Sequence, residues 1–542
     1  MPNQALPPSL QYIADQLHQT GPRTPGQMRT LVLEAKVQPA DLMPWARFNH
    51  PPEDSYGRTM AYKGPNFEIM VMSWLPGDFS GLHDHGYTQW GAVQVFGNAE
   101  HATFRLEDSR ISTLARWQMK PYEVIGVHHD LIHQMGNPAD GDPFLSLHVY
   151  GEPIEMESIT GDARVFELYK GQIQRVDGGV FFGLPPELVK SSQPGPQPDF
   201  PTRIRFLIEL LRRLKSFPPE KIRHAGYEPA KIWETLLSDQ QHPLLLEALQ
   251  SCTTETGHIA HSASWKILNR ELRELALFEA EHQPTRSASD QFHRYARRYD
   301  ALIGQPALDQ FVKAYLQFAT NTYHIRWQES RLLSFGCGTG LTEAYIADHF
   351  GIPKSQIMGL DISPAMVQEA ASRIPVEQMD ILLLDQPFQG KTWDIVYSGL
   401  NVFHYVPHSD FPKAIAHAAA QLRPGGYFIG DFITPDHIRW YPNVMYSEDK
   451  NTLSLRTPCL IEEAGASFQQ SEILNIHFED QQMEVSYAGK HHRFLPPVHR
   501  VRTYFNQFFG GGVALYDAVT REPIPESADS CTSTRYLVVA VK

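Results

Sequence analysis

The chain has 542 residues, a formal net charge of −14 and an isoelectric point near 6.0, so it is too long for one hydrophobic core and two or three domains are expected. The acidic balance argues against a nucleic-acid binder, which would carry a basic stripe, and no apolar run reaches the ~18 residues of a membrane span. The first residues lack the basic and apolar regions of a signal peptide, and Cys252, Cys337, Cys459 and Cys531 stand far apart with no CxxC pair, which suits a reducing cytoplasm and offers no disulfide framework.

Residues 1 to 45 read as helices, with Leu10, Ile13 and Leu17 and then Met28 and Leu31 spaced for packed faces. From about 60 to 155 the rhythm becomes all-β, in short alternating runs such as FEIMVMSW, AVQVF, ATFRL and FLSLHVY separated by turn residues. Between Gly77 and Gly97, His83 and His85 stand two apart in a stretch read as strand, which would turn both imidazoles to one interior. His133 is a third candidate ligand. Ser146, His148 and Tyr150 share one face of a later strand by the same period, and His101, His128 and His129 read as supporting or surface residues. Three neutral imidazoles on an octahedral ion leave positions open, which suits ferrous iron better than a closed structural zinc site.

Here the residues carry a resemblance. Gly77, His83, His85 and Gly97 resemble the first cupin motif, and His133 with Asn137 is similar to the end of the second. Where most metal-binding cupins have a glutamate ligand this chain has Gln89 and Trp90, and the cysteine dioxygenase branch, which it resembles, also lacks that glutamate and holds iron with three histidines. Tyr56-Gly57-Arg58 resembles that family's Tyr-x-Arg, and Ser146-Leu147-His148-Val149-Tyr150 its Ser-x-His-x-Tyr relay. The resemblance implies an Fe(II) site at His83, His85 and His133, a cysteine-type thiol whose carboxylate Arg58 binds, dioxygen as co-substrate, and a proton or hydrogen bond donated by Tyr150 through His148 and Ser146. It also aligns Trp90 with a family cysteine that cross-links to the tyrosine, so a bulky indole is expected to reshape the pocket.

A Pro/Gly/Ser-rich boundary falls near 190 to 201, giving a first domain of 1–190. Residues 191–285 turn to long helical patterns, read as a helical connector or dimer surface, which admits a homodimer. His242, His258 and His261 read there as ordinary polar positions.

The second anchor begins at Arg331. An apolar run ends in Gly336, Gly338 and Gly340, a helix follows, and a second strand ends in Asp361 and Ile362, the arrangement of a nucleotide cradle with an acidic residue on the ribose. GLDISPAMV, then WDIVYSGLNVFHYV and LRPGGYFIGDF, resemble in order the strands of class I S-adenosylmethionine methyltransferases, over about 286–542. That resemblance implies S-adenosyl-L-methionine held by Gly336, Gly338, Gly340, Asp361 and Ile362, with Asp380 near the adenine and Asp385 as its competitor. Ser334 replaces the usual acidic residue near the methionine part of the cofactor. His404 occupies either an acceptor-contacting or a packing position, and an insert at about 435–525, rich in His, Tyr and Phe, reads as a lid or an extra core.

The expected architecture is therefore multidomain: an all-β cupin barrel with N-terminal helices, a helical connector and an α/β Rossmann-like methyltransferase. The expected function is a bifunctional enzyme of sulfur-containing secondary metabolism, acting on a small thiol or amino acid and a small-molecule methyl acceptor, without nucleic-acid or membrane partners. The alternative is a methyltransferase alone, with the cupin as a ligand-sensing or dimerising module.

Overall fold

The computed structural model describes residues 5–19, 23–138, 140–237, 245, 263–282, 292, 296–463, 465–479 and 482–542. His242, Cys252, His258, His261 and the expected boundary at 285 lie outside them. The chain divides into two compact units, one of residues 1–252 and 261–275, the other of 253–260 and 276–542. No helix among the described residues is long and apolar enough to cross a membrane.

The first unit opens with helices α1 (Pro8–Gln19) and α2 (Pro25–Glu34), the second begun by Thr24, whose hydroxyl accepts the Gln27 N–H. Strands β1 (Gly57–Lys63), β2 (Phe67–Trp74), β3 (Trp90–Val95), β4 (Ala99–Glu107), β5 (Arg110–Met119), β6 (Val124–Val127), β7 (Ile132–Gly136) and β8 (Phe144–Gly151) follow. They form a five-stranded sheet in the order β1-β2-β8-β3-β6 and a second in which β5, β4 and β7 are neighbours. Side chains alternate across the pleat, so Trp90, Ala92, Leu147 and Val149 meet α1 and α2 on one face. Met70, Met72, Val93, Val95 and Tyr150 form a separate core on the other.

The helix Phe200–Ser216 is capped by Asp199, which accepts from Thr202 N. With the helix Ala263–His282 it encloses a buried charge network: Arg116 pairs with Glu100 and Glu271, and Arg205 reaches Glu100 and Glu209. Burial opposes the Glu100 carboxylate, but Arg205, Arg116 and Arg270 hold its pKa down to about 2. A buried network of this kind is costly to break from one side.

The second unit is built on a seven-stranded sheet. Its order is Val376–Gln378, Ile357–Asp361, Leu332–Phe335, Trp393–Ser398, Leu422–Ile433, Arg535–Val541 and Val513–Asp517. The first five are parallel, and Arg535–Val541 runs antiparallel between Leu422–Ile433 and Val513–Asp517. The central strands are buried along their length, as a parallel sheet covered on both faces requires. The insert contributes a four-stranded antiparallel sheet of Val444–Tyr446, Thr452–Glu463, Ala466–Glu479 and Gln482–Phe494. The helix Val498–Phe508 beyond it packs Val501 and Phe505 into the main core with Leu515.

Candidate functional sites

In the first unit His83, His85 and His133 are buried and offer ligand atoms that all lie within 4.8 Å of one another. His133 comes from β7. His83 and His85 lie in a loop rather than on the strand the spacing predicts; isolated bridges from His83 to His133 and to Val165 pin it, and in the first His83 N and His133 N each bond the other's carbonyl at 3.0 Å. His83 Nδ1 donates to Gly81 O at 2.8 Å, leaving Nε2 a bare lone pair 3.1 Å from His133 Nε2. His101 Nε2 lies 2.8 Å from His133 Nδ1 and orients that ring. Neither nitrogen of His85 has a hydrogen-bond partner among the described residues.

Burial lowers the pKa of His83 to about 4, and those of His85 and His133 well below the usual histidine range, so all three present neutral nitrogens. The unpartnered nitrogens of His85, buried beside the facing Nε2 atoms of His83 and His133, are costly alone and suit a shared metal ion.

The predicted relay is formed. Trp74 Nε1 donates to Ser146 Oγ at 2.8 Å, Ser146 Oγ lies 2.7 Å from His148 Nε2, and His148 Nδ1 lies 2.8 Å from Tyr150 Oη. The Tyr150 ring stands 5.5 Å from that of His85, so the relay ends beside the triad. Burial drives the Tyr150 pKa far above its ordinary value and lowers that of His148 to about 3, so both stay neutral. Arg58 is half-buried; its Nη2 donates to Thr160 Oγ1 at 3.1 Å, and its charge acts on both His148 and Tyr150.

The second unit holds a cavity of 820 Å³. Gly336, Gly338, Asp361, Ile362 and Asp380 are on its wall, whereas Gly340 and Asp385 are not. Gly336, Gly338 and Gly340 all have positive φ, of 65, 56 and 72°. A Cβ on Gly336 would meet the Val402 methyls at 2.5 Å, and one on Gly338 would meet nothing, which leaves that backbone open to a ligand. Gly340 instead starts the helix Leu341–Phe350, against Ala370 and Ile374. Gly338 N and Ser363 N donate to the two oxygens of Asp361 at 2.8 and 2.9 Å, fixing that carboxylate on the cavity wall.

Residues 27–159 match the sequence model described as cysteine dioxygenase type I, and residues 332–426 match one described as a methyltransferase domain. The chain thus has a cupin-type N-terminal region similar to cysteine dioxygenase type I and a C-terminal domain with the class I methyltransferase fold. Similar solved structures include an S-adenosylmethionine-dependent methyltransferase from Clostridium acetobutylicum, 14% identical, covering 46% of this chain and 98% of that one at a TM-score of 0.36. Another is the sugar N-methyltransferase KedS8 from a Streptoalloteichus species, at 17% identity, 48% and 96% coverage and a TM-score of 0.34.

Two residues of the cupin exchange their expected importance. Trp90 opposes Gly151 across the sheet and points outward, packing beneath α1 and α2, so its indole leaves the pocket untouched. Opposite Tyr150 stand Glu68 on β2 and, on β3, Gly91. A Cβ there would stand 2.6 Å from Val149 O and 2.9 Å from Tyr150 Cδ1, so the absence of a side chain is what admits the tyrosine.

In the second unit, Glu343 places a carboxylate beside Ser334. Glu343 is 1% exposed, lies on the cavity wall, accepts the Ser334 hydroxyl on Oε1 at 2.6 Å, and has no partner for Oε2 among the described residues. Burial raises its pKa to about 7 despite the Ser334 hydrogen bond. The sequence signal was available: a glutamate in the first turn of an apolar helix, three residues after the last glycine, points back toward the loop.

His404 proves to be a packing residue. It is fully buried off the cavity, with Nδ1 donating to Phe494 O at 2.6 Å and Nε2 accepting from Ile433 N at 3.0 Å. The cavity wall there is formed instead by Leu400 and Asn401, both in the left-handed region at φ 54 and 69°. Leu400 N is held by Asp431 and Asn401 Oδ1 by Arg535. Such strain, ~1–2 kcal/mol per residue, persists only where surrounding bonds fix it.

Proposed function

We propose that the chain is a bifunctional enzyme, a ferrous-iron thiol dioxygenase yielding a sulfinate joined to an S-adenosyl-L-methionine-dependent methyltransferase for a small molecule of sulfur metabolism. The observation that carries the first half is the meeting, on one buried wall, of three neutral imidazoles with the Ser146, His148 and Tyr150 chain. His83, His85 and His133 would hold the iron, which supplies the activation of dioxygen that side chains cannot provide.

The chain's own residues position and protect that chemistry. Arg58 presents a planar fork suited to two charge-assisted bonds with a carboxylate. Tyr150 stays protonated and, with His148 Nδ1–H donating to its oxygen, is free to aim its own O–H at the substrate. Met70, Met72, Val93 and Val95 keep that wall dry.

In the second half, Asp361 would hold the ribose, Asp380 would serve the adenine end and Glu343 the cationic methionine end, all three lining the cavity. The cofactor supplies a methyl group on a sulfonium, and the cavity's work is to align the acceptor in line with it and exclude water. A methylated sulfur can no longer bind as thiolate. If one molecule visits both units, oxidation therefore comes before any S-alkylation.

Anaerobic titration of the full chain with ferrous iron and with S-adenosylhomocysteine tests both halves. His85→Ala is expected to abolish iron binding alone and Asp361→Ala cofactor binding alone. A chain that takes the cofactor but no iron would overturn the dioxygenase half and leave a methyltransferase with a ligand-sensing cupin.

A further inference from the structure

The cavity of the methyltransferase domain carries opposite charges from two sources. Its acids, Glu343, Asp361 and Asp380, come from the parallel-sheet core, and two arginines, Arg456 and Arg493, come from the antiparallel sheet of the insert. Both arginines are buried, at 3% and 9% exposure. A buried cation is costly unless an anion answers it.

The fold answers a third arginine on the same wall, Arg535, with a direct ion pair to Asp431. Arg493 receives no such partner. Its Nε and Nη2 donate to the Tyr405 hydroxyl at 3.0 and 2.7 Å, its Nη1 reaches Gln469 Oε1 at 3.5 Å, and no carboxylate among the described residues lies within ion-pair distance. Arg456 donates from Nη1 to the Tyr441 hydroxyl at 3.1 Å. The positive field registers on its neighbours. Burial alone would raise the Tyr441 pKa, yet Arg456 and Arg493 pull it below its ordinary value; burial and the charges of Arg535 and Arg493 press His437 down to about 2.

We infer that the methyl acceptor is a small anion bearing a carboxylate or sulfinate, whose charge is gripped by Arg493 with Arg456 beside it. This rests on the methyltransferase reading above and adds the substrate class. The planar guanidinium of Arg493 matches either group's paired oxygens, and the bound anion supplies the counter-charge that no carboxylate among the described residues gives Arg493. The insert sheet is thus the element that selects the acceptor, while the parallel-sheet core selects the cofactor. A sulfinate leaving the cupin would belong to this class.

The test is calorimetric titration of the full chain, saturated with S-adenosylhomocysteine, with L-cysteine sulfinate, with hypotaurine, which keeps the sulfinate alone, and with L-alanine, which keeps the carboxylate alone. L-cysteine sulfinate is expected to bind and to weaken about 30-fold or more in Arg493→Met, with part of the affinity restored in Arg493→Lys. The cofactor affinity and melting temperature should be unchanged in both variants, which separates lost recognition from lost folding. Whichever of the two single-anion probes retains binding identifies the group that is gripped. Cofactor binding without any binding of the three probes, or binding that Arg493→Met leaves intact, would overturn the inference. Failure of the cofactor itself to bind would remove the methyltransferase reading and this inference with it.

Discussion

The Ser334 hydroxyl donates to Glu343 Oε1 at 2.6 Å inside the methyltransferase cavity. The pair sets a carboxylate beside the strand position where the resemblance leads one to expect an acid, carried by the following helix instead. Glu343→Gln is expected to weaken S-adenosylhomocysteine binding by about 10-fold or more, since a buried charge-assisted contact is lost.

The same residue sets a pH dependence. Burial raises the Glu343 pKa from 4.5 to about 7, so between those values the folded chain keeps a proton that the unfolded chain has released. Its contribution to stability is therefore lost as pH rises through that window. Affinity for a cationic ligand runs the other way, increasing as Glu343 ionises. Calorimetry from pH 6 to 8 should show cofactor affinity rising, with the slope flattened in Glu343→Gln; equal slopes in the two proteins would sink the assignment.

Restoring the usual acid at Ser334 should harm rather than help. An aspartate there would face Glu343 at hydrogen-bond distance in a buried site, and two carboxylates so placed cannot both ionise. Ser334→Asp is expected to lower cofactor affinity at pH 7. A gain would show that Glu343 does not do the work given to it.

In the cupin, Gly91 and Trp90 give opposite expectations. Gly91→Ala puts a methyl group against Tyr150 and should depress turnover while iron content stays near that of the parent protein. Trp90→Ala should cost ~3–5 kcal/mol of unfolding free energy through the cavity left beneath α1 and α2, measured by chemical denaturation. Its iron site should remain intact.

His101 positions His133, the third histidine of the proposed iron site. Removing it frees the His133 ring, and partners of this kind typically account for about 10–100-fold in metal affinity. His101→Ala should weaken ferrous binding by that order, with the Ser146, His148 and Tyr150 chain undisturbed.

Much of this was legible in the sequence because it rests on short periods. The spacing of Ser146, His148 and Tyr150 gives one face of a strand whatever its neighbours, and the glycines before Leu341 announce a cradle. What was not legible depends on partners distant in the chain. His83 and His85 face the same interior from a loop because His133, 50 residues on, bridges to it. Trp90 and Gly91 differ by one position, and only their register against Gly151 and Tyr150 says which faces inward. Glu343 required knowing that the helix turns back over Ser334. Arg493 required the insert to fold as a sheet against the cavity, which composition alone left equal to a small extra core.

The most direct measurement is oxygen uptake by the ferrous-loaded full chain with L-cysteine, beside His133→Ala. Uptake that stops in the variant, with one sulfinate formed per dioxygen consumed, is the result expected of three histidine ligands beside a tyrosine relay. An iron-loaded parent protein that forms no sulfinate from L-cysteine would contradict the cysteine dioxygenase assignment.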